Sequence, residues 1–116
     1  MPMRDVTAKD VHKIVDQKED AVIVDVLSPE SYAKRHVPGS VNIPSTDPRF
    51  IEKVREEVPD EKAPVVFYCS GPTCDASPTA AKRVEEAGYR DVREFRGGLQ
   101  AWEDAGFPFE GRSGAI

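Results

Sequence analysis

The sequence predicts an α/β fold with a mostly parallel central sheet and helices on both faces. Three observations point to it. Ala21 to Val26, interrupted only by Asp25, and Val65 to Tyr68 are short apolar runs of the kind buried on both faces of a parallel sheet. Amphipathic segments at helical spacing separate such runs, and short turns join them. Three cap-and-proline pairs, Ser28-Pro29, Asp47-Pro48 and Ser77-Pro78, mark helix starts, because proline suits a first turn whose N–H groups have no partner.

Taken in order, Thr7 and Asp10 have the spacing of a helix start, and Val11, Ile14 and Val15 then recur on one face until the charged stretch Gln17 to Asp20. The strand Ala21 to Val26 follows and carries Asp25 at its C-terminal end. Ser28 and Pro29 open a short helix through about Arg35, and Pro38-Gly39 turns the chain into a brief strand, Val41 to Ile43. Asp47-Pro48 opens a helix whose apolar face is Phe50, Ile51, Val54 and Val58. After the strand Val65 to Tyr68 and the loop Cys69 to Ala76, Ser77-Pro78 opens a helix that stops at Gly88. Asp91 to Phe95 is the next strand, and Gly97-Gly98 leads into a helix with Leu99 and Trp102, ended by Gly106 and Pro108. Residues 1–110 are expected to form the domain and residues 111–116 a frayed tail.

With 116 residues, 39% of them apolar, the chain supports one hydrophobic core. Its 16 basic and 21 acidic residues are mixed along the chain and give a net charge of −5, so no basic stripe is available for a phosphate backbone and nucleic acid is not an expected partner. The apolar runs are shorter than a membrane span, and Met1 to Asp5 lacks the apolar core of a signal peptide. The expectation is a soluble cytoplasmic protein that makes no membrane contact. Two cysteines are too few for a disulfide framework, so chemistry or burial has to explain them.

In a parallel sheet, ligands bind beyond the carboxyl ends of the strands, where Asp25, Cys69 and the turn Arg96-Gly97-Gly98 fall. Cys69 follows a buried strand and precedes a helix whose N-terminal dipole favours a thiolate, which predicts a lowered pKa and a nucleophile. The bland alternative is a small apolar residue that ends a core strand. Gly71 lets the loop backbone approach an anion, whereas Pro72 removes one donor. Spacing disfavours other cysteine chemistries. A phosphatase loop needs arginine six residues after the cysteine, where Asp75 stands, and four residues rather than two separate Cys69 from Cys74. No compact ligand pattern joins Cys69, Cys74, His12 and His36, so neither metal nor cofactor is expected, and His12 reads as a solvent-facing helix residue.

Three segments together resemble the rhodanese-like family of single-domain sulfurtransferases. They are Asp25 to Tyr32 with His36-Val37-Pro38-Gly39-Ser40-Val41-Asn42-Ile43-Pro44, then Tyr68-Cys69 with its glycine-bearing loop, and finally Arg96 to Trp102 with Gly106-Phe107-Pro108. The resemblance spans about Val6 to Phe109. It implies a sulfurtransferase in which Cys69 takes a sulfane sulfur from thiosulfate or a persulfide, becomes a persulfide itself, and hands that sulfur to a thiol or cyanide. It also implies that backbone N–H groups of Ser70, Gly71, Pro72, Thr73, Cys74 and Asp75, proline excepted, form the substrate-binding loop around the terminal sulfur.

The chain departs from the family pattern in its loop, which is about two residues longer if Ser77 is the helix serine, and in Cys74-Asp75 near the loop end. Thiosulfate, a dianion, is therefore expected to be a poor donor. Cys74 becomes a candidate resolving or relay thiol, Asp25 a structural carboxylate at the strand end, and Arg96 a solvated cation that adds positive potential near the thiolate. The same features allow a different class of protein, a regulatory or redox-sensing module without turnover that uses the Cys69/Cys74 pair.

Overall fold

A computed structural model describes residues 4–17 and 20–111 of the chain. Val65–Tyr68 is buried at all four positions, as its run of large apolar side chains dictates, and it forms the middle of the sheet. In chain order the elements are β1 (Arg4–Asp5), α1 (Ala8–Gln17), β2 (Val22–Asp25), α2 (Pro29–Lys34), β3 (Val41–Asn42), α3 (Phe50–Glu57), β4 (Val65–Tyr68), α4 (Ala76–Glu86), β5 (Val92–Phe95) and α5 (Gly98–Asp104). The strands lie in the order β1-β5-β4-β2-β3, and every ladder is parallel.

Alternation along the strands sends side chains to two separate cores. Val24, Val65, Phe67, Cys69 and Val92 face α3 and α4, where they meet Phe50, Val54, Ala80, Ala81 and Val84. Ile23, Val66, Tyr68 and Phe95 face α1 and α5, where they meet Val11, Ile14, Leu99 and Trp102. The expected α/β architecture with helices on both faces is therefore the architecture observed.

The start of α1 is a reciprocal capping box. Thr7 N donates to Asp10 Oδ2 at 2.9 Å, and Asp10 N donates to Thr7 Oγ1 at 3.2 Å. Ser28 caps α2 as expected, its hydroxyl accepting from Ser31 N at 3.2 Å.

Other boundaries differ from expectation. α3 begins after Arg49 rather than at Asp47-Pro48, because the Asp47 carboxylate accepts from Arg49 N at 2.8 Å and closes a turn before the helix. α4 begins at Ala76, so Ser77 and Pro78 lie inside its first turn, where a missing N–H costs no bond. β1 was not expected. Both its residues are exposed, and it exists by backbone pairing with Arg93 and Glu94.

His12 is half-buried rather than solvent-facing and stacks on Phe107 with ring centroids 4.0 Å apart. Lys18 and Glu19, in the stretch expected to end α1, lie outside the described residues, as do residues 112–116 of the expected tail. Among the described residues no helix is long and apolar enough to cross a membrane.

Candidate active site

Cys69 stands immediately beyond β4, on the side of the sheet covered by α3 and α4, and is 1% exposed. Two backbone bonds fix its position from below. Leu99 N donates to the Cys69 carbonyl at 3.0 Å, and Gln100 N donates to the Ser70 carbonyl at 2.9 Å, so the first turn of α5 holds the start of the loop. This contact needs a glycine at position 98. Its φ is +56°, and a Cβ there would stand 2.2 Å from the Cys69 carbonyl oxygen. The double glycine of the sequence is thus the seat of the cysteine loop.

Above this seat the loop folds back on itself. Cys74 N donates to the Gly71 carbonyl at 3.1 Å, Gly71 is buried against α5, and Pro72, Thr73 and Asp75 are exposed at the rim. The turn brings the Cys74 side chain, half-buried, against that of Cys69, and both thiols are free. Cys69 Sγ lies 3.6 Å from the Cys74 carbonyl oxygen and 3.4 Å from Ser77 Oγ, either of which its S–H can serve as donor.

The charge distribution differs from the sequence expectation. Burial pushes the Cys69 thiol up, and the contact with Cys74 adds to this. Bonds from the hydroxyl and backbone N–H of Ser77 oppose the rise without overcoming it. Burial also acts to raise Cys74, but the Cys69 thiol and the N–H groups of Ala76 and Ser70 all direct hydrogens at its sulfur, and together they bring it below the ordinary thiol value. Of the two thiols, Cys74 is therefore the more readily ionised. The N–H groups expected to stabilise a Cys69 thiolate are divided between two sulfurs, because the loop folds Cys74 into the start of α4.

The other sequence candidates separate. Asp25 is fully buried on the opposite face, where its Oδ1 accepts from Leu27 N at 2.8 Å, and burial raises its pKa. Beside it Tyr68 accepts from Val37 N at 3.0 Å and pairs with Ser40 Oγ at 3.1 Å. This arrangement fixes the turn after β2 and does not reach Cys69. Arg96 is exposed, and its charge bears on Glu94. Trp102, fully buried, donates to the Pro108 carbonyl at 2.8 Å and anchors the chain after α5.

Glu94 was absent from the sequence candidates. It is 2% exposed on β5, and its Oε2 has no hydrogen-bond partner among the described residues. The signal was its place two residues after Val92, which puts a carboxylate on an inward face.

Comparison with known proteins agrees with this fold. The sequence profile described as Rhodanese-like domain matches residues 7–105. The HTH-type transcriptional regulator Rv0324 of Mycobacterium tuberculosis is 32% identical over 91 residues, 78% of this chain, and the match spans only 38% of the regulator. Thiosulfate sulfurtransferase GlpE of Pseudoalteromonas translucida is 34% identical over 88 residues, which cover 76% of this chain and 78% of that enzyme. The crystal structure of the BH2092 protein from Bacillus halodurans superposes with a TM-score of 0.85 at 26% identity, covering 97% of this chain and 80% of that one. By sequence profile, by relatives and by fold, this chain belongs to the rhodanese-like domain family.

Proposed function

We propose that this chain is a sulfurtransferase that moves a sulfane sulfur from a donor to a thiophilic acceptor through a persulfide on Cys69. The observation that carries the reading is the Cys69 thiol at the carboxyl end of the central strand, its S–H donating to Ser77 Oγ at 3.4 Å in the first turn of α4. In the first half-reaction the Cys69 sulfur attacks the outer sulfur of the donor, and the donor's own thiolate or sulfite departs with the electron pair of the broken bond. In the second, an acceptor thiol or cyanide takes that sulfur and Cys69 is regenerated.

The exposed carboxylate of Asp75 at the rim disfavours a dianionic donor, so a persulfide is the better substrate and thiosulfate the poorer one. Two cysteines, too few for a disulfide framework, fit a cytoplasmic enzyme.

A second reading is a redox-sensing module, favoured by the contact between the two cysteines and by the likeness to a transcriptional regulator. Here the Cys74 thiolate attacks the inner sulfur of a Cys69 persulfide, hydrosulfide leaves, and a Cys69–Cys74 disulfide remains until a cellular dithiol reduces it.

One experiment separates the readings. Purified reduced protein is given cyanide and either thiosulfate or a glutathione persulfide, beside Cys69→Ser and Cys74→Ser, and thiocyanate is measured. Repeated turnover that is lost in Cys69→Ser supports the enzyme. A single release of hydrosulfide, followed by a disulfide that Cys74→Ser cannot form, supports the sensor.

A further inference from the structure

The nucleophile of the sulfur-transfer reading is closed off from solvent. Cys69 is 1% exposed, whereas Pro72, Thr73 and Asp75 of the loop that follows it are exposed at the rim. Cys74 packs against the apolar cluster that contains Cys69. Attack on a donor needs the donor's outer sulfur in contact with Cys69 Sγ, and a buried Sγ offers no such contact.

One of the two groups against that sulfur is a pure acceptor. The Cys74 carbonyl oxygen lies 3.6 Å from Cys69 Sγ, and Ser77 Oγ lies 3.4 Å from it. The two differ once the thiol loses its hydrogen. A hydroxyl can turn and donate to the anion, but a carbonyl only accepts, and its negative end then faces a negative sulfur with no hydrogen between them. This loop conformation therefore suits a thiol and opposes a thiolate. The carbonyl is aimed by anchors on either side. Cys74 N donates to the Gly71 carbonyl at 3.1 Å, and Thr79 N donates to the Asp75 carbonyl at 3.2 Å as α4 begins. The Cys74–Asp75 peptide joins these anchored pieces. In a planar trans peptide the N–H points away from the C=O, so a half-turn of this unit exchanges the acceptor at the sulfur for the Asp75 N–H.

We propose that the loop from Ser70 to Asp75 is a gate with two states, closed with the Cys74 carbonyl against the Cys69 thiol, and open with the Cys74–Asp75 peptide turned over so that the Asp75 N–H meets an exposed Cys69 sulfur. The gate regulates the site of the sulfurtransferase reading and rests on that reading for its purpose. On opening, the Cys69 proton leaves to solvent and the thiolate becomes reachable by a donor. A Cys69 persulfide, ionised at its outer sulfur, keeps the gate open, because closing would bring the carbonyl oxygen onto that charge. Sulfur-free enzyme closes again over the thiol. The half-turn changes ψ of Cys74 and φ of Asp75, and carries the latter from −90° to a positive value. Aspartate enters that region more readily than most residues, and glycine most readily of all.

Two variants isolate the turn. Asp75→Ala and Asp75→Gly both remove the carboxylate, and they differ in access to positive φ. In the Cys74→Ser background Cys69 is the sole thiol and the backbone carbonyl is kept. There, iodoacetamide is expected to alkylate Cys69 about tenfold faster in Asp75→Gly than in Asp75→Ala, at temperatures where circular dichroism shows both folded. Equal rates, or a faster alanine variant, would overturn the proposal. Alkylation needs no sulfur donor, so this result is separate from whether the chain turns over. A second measurement, on the wild type, distinguishes a turned peptide from a merely loosened loop. Cys74–Asp75 is the sole Cys–Asp pair in the sequence, so carbon-13 at cysteine carbonyls and nitrogen-15 at aspartate amides single out the Asp75 N–H by nuclear magnetic resonance. Its proton is expected to move downfield on sulfur loading, as it gains an anionic acceptor. An unmoved resonance in protein shown by mass to carry the Cys69 persulfide would also overturn the proposal.

Discussion

The two faces of the sheet each bury a carboxyl near the ends of the strands, in different surroundings. On the α1 and α5 side, Asp25 accepts from the backbone of Leu27, and the neighbouring Tyr68 hydroxyl is shared between Val37 N and Ser40 Oγ. These bonds end on backbone and hydroxyl groups and hold the chain after β2 in place. On the α3 and α4 side, Glu94 is buried on β5, and the Ser77 hydroxyl accepts from the Cys69 thiol at 3.4 Å. Consecutive residues Tyr68 and Cys69 point to opposite faces, so strand alternation divides a structural polar cluster from a chemical one. Each carboxyl keeps one buried oxygen, Asp25 Oδ2 and Glu94 Oε2, without a hydrogen-bond partner among the described residues, so what sets the two faces apart is the thiol that meets Ser77.

The division can be broken most severely at the seat of the cysteine loop. Gly98→Ala forces a left-handed residue and a clash with the Cys69 carbonyl, and is expected to cost about 3 kcal/mol of stability and to disturb sulfur transfer in whatever protein remains folded. Chemical denaturation together with thiocyanate turnover checks both effects. Tyr68→Phe is the next largest. It leaves the buried Val37 N–H without an acceptor, which is expected to cost about 2 kcal/mol, while the pH profile of Cys69 alkylation should not change. A changed profile would show that the two faces are coupled.

Alkylation also ranks the two thiols. Cys74, half-exposed and below its ordinary pKa, is expected to react with iodoacetamide before Cys69, as peptide mapping after brief treatment would show.

Asp25→Asn is the mildest change, and its sign follows from linkage. Burial raises the Asp25 pKa in the folded state, so the fold binds its proton more tightly than the unfolded chain does. The favourable contribution is present below the unfolded pKa and is lost as the pH rises through the folded value. Asparagine keeps the acceptor for Leu27 N and carries no charge. Its stability relative to aspartate is therefore expected to increase from acid to neutral pH, as melting temperatures of the two proteins measured at several pH values would reveal.

Much of this arrangement was legible from residue types alone. The β4 run, the capping pairs at Thr7 and Ser28 and the double glycine each have a local physical cause that sequence displays. β1 was hidden because its two exposed residues owe their strand to β5 and not to their own side chains. The start of α4 was displaced because Ser77-Pro78 imitates a cap, whereas the Ser77 hydroxyl is turned to Cys69 instead. The lowered pKa expected of Cys69 depended on where the loop's N–H groups point, and that is set by the fold of the Cys74 turn. Glu94 needed β5 and α4 to be placed together before its carboxyl was buried.

The central claim is that Cys69 carries the transferred sulfur. Its most direct test is the mass of peptides from protein treated with a persulfide donor and then trapped with an alkylating agent. One added sulfur atom on the peptide segment holding Cys69, lost again on addition of cyanide with release of thiocyanate, is the predicted result. Protein that transfers sulfur to cyanide with Cys69 unmodified, or with sulfur found on Cys74 alone in both wild type and Cys69→Ser, would contradict it.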